Sequence, residues 1–129
     1  MRAGELAGLA RTEVTARAHN DSRRYSGVAL GDLLVRIGAP RGDSLRGPAL
    51  ASYVLVEAAD GYRVVFALAE LNESFTDRRI LLADRKNGQP LSPSEGPFRL
   101  VVPGERRPAR WIRQVTRIRL LRPPADTVR

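Results

Sequence analysis

A chain of 129 residues with 43% hydrophobic residues is long enough for one domain with a buried core and too apolar for a disordered segment. Its formal charge of +8 is almost wholly arginine, since Lys86 is the sole lysine, and a solvated surface accounts for such a balance as well as an anionic partner does. The absence of cysteine excludes disulfides, zinc–thiolate sites and iron–sulfur clusters, and no run of about 18 apolar residues is present to span a membrane.

Met1-Arg2-Ala3-Gly4-Glu5 has none of the apolar stretch of a secretory signal, so an exported form would have lost its leader already. Thr12 to Ala18 mixes β-branched and polar residues and predicts a first strand, followed by a polar loop from His19 to Arg24. Leu30, Leu33, Leu34 and Ile37 recur at helical spacing, and Gly38 stands where a glycine closes a helix. Arg41 to Pro48 is a second loop. Tyr53 to Ala58 and Tyr62 to Phe66 flank Asp60-Gly61, a strong hairpin signal. Ala67 to Leu71 predicts one helical turn.

Ile80 to Ala83 predicts a short buried strand closed by the turn Lys86-Asn87-Gly88. Phe98 to Val102, between Pro97 and Pro103, predicts another. Trp111, Ile112 and Val115 are spaced for one amphipathic helical turn before a last strand, Thr116 to Leu121. Pro123-Pro124 and the residues after them form a frayed tail. Hairpins interleaved with short helices, without regular βαβ alternation, predict an α+β fold in a single domain over residues 1–129, its core about 12–122.

The chemistry is sparse. His19, the only histidine, lies in a polar loop, and no serine occupies a Gly-x-Ser-x-Gly elbow. One histidine and scattered carboxylates offer no metal-ligand spacing, and neither a phosphate-binding Gly-x-x-x-x-Gly-Lys loop nor a Gly-x-Gly-x-x-Gly occurs. Asp60, Glu70, Asp77, Asp84 and Glu95 serve acid–base chemistry only if folding gathers them; Asp60 and Asp84 read better as turn residues. Specific nucleic-acid binding is disfavoured, because Tyr53, Tyr62, Phe66 and Trp111 form no stacking pattern and the segment Gly31 to Gly38 carries one arginine. Eight arginines fall between Arg99 and Arg122, and a guanidinium is a planar fork suited to phosphate or carboxylate.

Five ordered segments resemble the molybdopterin-binding domain of sulfite oxidase-type oxidoreductases. They are Tyr25-Ser26-Gly27-Val28-Ala29-Leu30-Gly31-Asp32-Leu33-Leu34 with Gly38-Ala39-Pro40; Asp60-Gly61-Tyr62 with Ala69-Glu70-Leu71; Ile80-Leu81-Leu82-Ala83 with Asn87-Gly88-Gln89-Pro90-Leu91; Gly96-Pro97-Phe98-Arg99-Leu100-Val101-Val102-Pro103; and Arg110-Trp111 with Val115 and Ile118. The resemblance covers roughly Val14 to Leu121. It implies mixed sheets around a pocket for a phosphate-bearing pterin and its molybdenum, with Arg99 near the pocket and Arg110 contacting the cofactor; Arg106, Arg107 and Arg113 lie close enough to assist. Arg99, Arg110, Arg106 and Arg107 are the candidate cofactor-binding residues, and no catalytic or metal-ligating residue is assigned. Arg117, Arg119 and Arg122 are expected on the outer face of the closing strand or beyond it.

The sequence departs from the family where its enzymes carry the cysteine that holds molybdenum. That stretch reads Val14-Thr15-Ala16-Arg17-Ala18-His19, and no hydroxyl or methyl group replaces a soft thiolate. The expectation is therefore a noncatalytic binding or accessory module for a small anion or a redox partner protein, its cofactor left open between molybdopterin and none. The alternatives are a genuine oxidoreductase component holding the pterin noncovalently and, behind it, a nucleic-acid or polyanion binder. Short relatives of this kind are commonly exported, which suggests the periplasm.

Overall fold

The computed structural model describes residues 1–18 and 21–124. Its regular elements, in order, are β1 (Arg11–Ala18), β2 (Asp21–Ala29), α1 (Leu30–Arg36), β3 (Tyr53–Ala58), β4 (Arg63–Ala67), β5 (Leu81–Lys86), β6 (Gln89–Pro90), β7 (Arg99–Val101) and β8 (Val115–Leu121), joined in part by short 3-10 turns. Two antiparallel sheets result. The first runs β1-β2-β5-β6, with β7 also paired to β5, and the second runs β4-β3-β8. Two such sheets with one short helix form an α+β fold, as the sequence predicts.

Local chemistry accounts for most of these elements. Gly38, with φ +102°, closes α1: its N–H donates to the Val35 carbonyl at 3.0 Å and the Ala39 N–H donates to the Leu34 carbonyl at 2.9 Å. The β3–β4 hairpin turns at Asp60-Gly61, where the Asp60 carboxylate accepts the Tyr62 N–H at 3.0 Å. The turn between β5 and β6 places Asn87 and Gly88 at φ 51° and 81°, the paired left-handed residues of a tight hairpin.

Val54, Val56, Val64 and Phe66 alternate inward from the second sheet, and Leu81, Leu82 and Ala83 form a fully buried run in the middle of the first. Leu30, Leu33 and Leu34 of α1 join the same core cluster. Gly27 is forced by close approach: a Cβ there would lie 2.0 Å from the Leu82 carbonyl oxygen, and the β2–β5 register shifts between Ser26 and Gly27.

Several expectations change. Residues 21–24, read as loop, belong to β2; their backbone pairs with β1, while their polar side chains face solvent or the groove described below. The segment from Trp111 to Val115 is not a helical turn. The bond that would close such a turn, from the Val115 N–H to the Trp111 carbonyl, is replaced at both ends: the Val115 N–H donates to the Phe98 carbonyl at 2.9 Å, and the Trp111 carbonyl accepts from Arg99 at 3.1 Å. The turn expected at Ala67 to Leu71 is a 3-10 turn at Leu68–Leu71, and the loop after Arg41 contains two more, Gly42–Ser44 and Gly47–Ala51. His19 and the tail beyond Pro124 lie outside the described residues.

Gly27→Ala is expected to destabilise the protein by about 1–3 kcal/mol through overpacking. Gly4→Ala, whose added methyl meets nothing within 4 Å, is the control and should change stability by about 0.5 kcal/mol or less. Urea unfolding midpoints of the two variants provide the comparison.

Candidate functional site

Between the two sheets lies a groove of about 860 Å³. One wall is Ala16 of β1, Asp21, Arg23 and Tyr25 of β2 and Lys86 of β5; the other comes from the β3–β4 turn with Asp60, from Pro108 and Ala109, and from Trp111 to Gln114. Arg99 enters from β7. Its guanidinium lies 5.8 Å from the Tyr25 ring and 5.7 Å from the Trp111 ring, and those rings meet edge to face at 5.8 Å. Both rings are buried, and the Trp111 indole N–H donates to the Val102 carbonyl at 3.1 Å.

The same guanidinium donates to the Glu95 carboxylate at 2.7 Å and to the Trp111 carbonyl at 3.1 Å. Glu95 also accepts a bond from the Lys86 ammonium, so one carboxylate serves two cations. Burial pushes the Glu95 carboxyl up, but the bonds from Lys86 and Arg99 outweigh it and hold the group below its ordinary value. The Arg99 Nε is buried with no partner among the described residues, the one polar atom of this cluster left unsatisfied.

Arg110 sits elsewhere. It donates to the Val65 carbonyl at 2.9 Å and to Glu70 at 3.0 Å, bonds Glu105 as well, and stacks its guanidinium 4.2 Å from the buried Phe66 ring. The bond to Glu105, joined by Glu70, holds Arg110 above its ordinary pKa despite partial burial. Burial raises the Glu70 carboxyl, and the bonds from Arg110 and the Ala67 N–H bring it below its usual value.

Of the four candidate arginines, then, only Arg99 lines the groove. Arg106 and Arg107 are exposed on the loop before it and take no ion pair among the described residues. Arg117 is exposed, Arg119 pairs with Glu57 at 3.1 Å, and Arg122 follows the strand, exposed. Folding does not gather the five carboxylates: Asp84 pairs with Arg11 at 2.6 Å, Glu70 and Glu95 hold the two arginines, Asp60 serves its turn and Asp77 is exposed.

Of the three neighbouring arginines expected to assist, Arg113 alone lines the groove; the residues that sequence reading missed are Arg23 and Lys86. All three converge on the groove only because the β1–β2 hairpin, the β5 end and the 108–114 segment meet there. Arg23 is engaged by Asp21 and Lys86 by Glu95, whereas Arg113 is exposed and pairs with no carboxylate among the described residues. Among the described residues no group of three or more His, Asp or Glu side chains is placed to hold a metal ion.

A family model described as the oxidoreductase molybdopterin-binding domain matches residues 5–128. The chain belongs to this family. The family is the sulfite oxidase type that the five motifs resemble. The NADPH nitrate reductase of Fusarium oxysporum is 35% identical over 100 residues, covering 71% of this chain and 10% of that protein. The chain thus spans about a tenth of the length of that relative.

The groove can be tested against the family's cofactor by the donors it offers. A phosphate finds Arg113, which pairs with no carboxylate among the described residues, and on the opposite wall Arg23, which Asp21 engages; a molybdenum ion finds no thiolate, since the whole chain has no cysteine. The residues present fit the anion and not the metal.

Because Glu95 is held below 4.5, it stabilises the fold above that pH, and the contribution fades as pH falls through the folded-state value. Glu95→Gln is expected to cost about 3 kcal/mol near neutrality, by leaving Arg99 without its counter-ion. Unfolding measured on both sides of pH 4.5 should find the gap from wild type narrowing on the acid side.

Proposed function

We propose that this chain is a noncatalytic member of the molybdopterin-binding family, a module whose groove takes a planar, anionic small molecule and which performs no molybdenum redox chemistry by itself. The observation that carries the reading is the groove's lining: two buried aromatic rings, an Arg113 with no carboxylate partner among the described residues, and no thiolate anywhere in the chain. A planar ligand is favoured by the Tyr25 and Trp111 walls, and a phosphate or carboxylate by Arg113 with Arg23. When bound, a pterin would supply the dithiolene chemistry of the family; this chain's part would be to seat its anionic end.

Trp111 is the sole tryptophan and lines the groove, so its fluorescence reports occupancy directly. Titration with a pterin monophosphate is expected to change that fluorescence saturably. Arg113→Glu should weaken the binding by about tenfold or more, corresponding to loss of a charge-assisted hydrogen bond of roughly 1.5 kcal/mol. Protein purified from cells competent to make the molybdenum cofactor should contain no stoichiometric molybdenum. Stoichiometric metal with sulfite-dependent turnover would overturn the noncatalytic reading in favour of a true oxidoreductase component.

A further inference from the structure

An antiparallel sheet with one face on the core ordinarily alternates apolar residues inward with polar residues outward. The β4-β3-β8 sheet does not. Directly opposed residues share a face, so Tyr53 stands with Ala67 and Leu121, Leu55 with Val65 and Arg119, and Glu57 with Arg63 and Arg117. The opposite face carries Val54, Val56, Val64 and Phe66 and is buried. The outer face thus divides in two. One zone is apolar, with Tyr53, Leu55, Val65, Ala67 and Leu121, none of which belongs to the hydrophobic core cluster; the other is charged, with Arg63, Arg117 and Arg119 around Glu57.

Val65 is 48% exposed and Ala67 is exposed, while Tyr53, Leu55 and Leu121 are half-buried. Glu57 is taken by Arg119, and Arg63 and Arg117 are exposed with no carboxylate partner among the described residues. An exposed apolar zone bordered on one side by arginines is the anatomy of a protein interface more than that of a solvated surface.

We propose that this face docks an acidic partner protein whose contact patch sets an apolar zone beside its carboxylates. Charge selects among the occupants. A second copy would set like against like across a two-fold axis, in a chain that already carries +8. A nucleic acid would satisfy the arginines but lay phosphate against Leu55 and Val65. An acidic protein patch meets both zones, with carboxylates on Arg63 and Arg117 and apolar side chains on the rest. Docking is face-on, because Arg110 already occupies the outward carbonyl of Val65 and so blocks strand addition at that point of the β4 edge.

The proposal is independent of the groove and is tested separately. A photo-crosslinking side chain is placed at Val65, and as a control at Thr15, exposed on the outer face of the other sheet, in the full chain expressed in its own cells. The protein cross-linked is then purified, and its affinity is measured for wild type, Val65→Glu and Arg117→Glu at low and high salt. The expected result is an adduct from position 65 and not from 15, with an acidic protein. Its binding should weaken tenfold or more in Val65→Glu, and Arg117→Glu should weaken it and flatten its salt dependence. Unchanged unfolding midpoints establish that both variants fold. No adduct, an adduct with this same chain or with nucleic acid, equal adducts from both positions, or binding indifferent to both substitutions would overturn the proposal.

Discussion

The Arg99 guanidinium, held between two aromatic rings and a nearly buried carboxylate, is the contact on which the rest of the molecule depends. Its side chain is 13% exposed and that of Glu95 10%. A cation so far removed from water requires its counter-ion, and removal of either partner strands a charge. The geometry also joins the sheets. Arg99 belongs to β7 and Lys86 to β5 in the first sheet, while Trp111, whose carbonyl Arg99 holds, leads directly into β8 of the second. The backbone reinforces the same seam, since the Gln114 N–H donates to the Glu95 carbonyl at 2.8 Å.

Arg110 repeats the solution on the other side of Trp111, with Phe66 as the ring and Glu70 and Glu105 as the carboxylates. Arginine suits both places because its plane stacks on a ring while its edge donates in several directions. The functional consequence is a division of labour. The two arginines named by the family motifs are engaged within the protein, whereas Arg113, supplied by the segment between Arg110 and β8, lines the groove with no carboxylate partner among the described residues. The fold of the family is thus retained around a groove lined by Arg23, Lys86, Arg99 and Arg113, in a chain without cysteine.

Sequence reading recovers what local chemistry decides. The β3–β4 hairpin follows from Asp60-Gly61, the end of α1 from Gly38, and the buried β5 run from Ile80 to Ala83, because each depends on neighbours within a few residues. It fails where the deciding partner is distant. The polar start of β2 is a strand because β1 pairs with it, and Trp111 to Val115 is extended because its hydrogen bonds go to β7 and its flanks. The site follows the same rule. The motifs locate Arg99 and Arg110, but of the partners that hold Arg110 only Glu105 is near in sequence, while Glu70 and the Val65 carbonyl lie 40 and 45 residues away, and the groove places Arg113 only once both sheets are assembled.

A double-mutant cycle across Glu95 and Arg99, using Glu95→Gln and Arg99→Met and read by urea unfolding at neutral pH, tests most directly whether Arg99 serves the scaffold. The account predicts that the pair is coupled, with the double variant departing from the sum of the single ones by about 0.5–3 kcal/mol. Additive effects, or an Arg99→Met protein as stable as wild type, would contradict it and return Arg99 to the ligand.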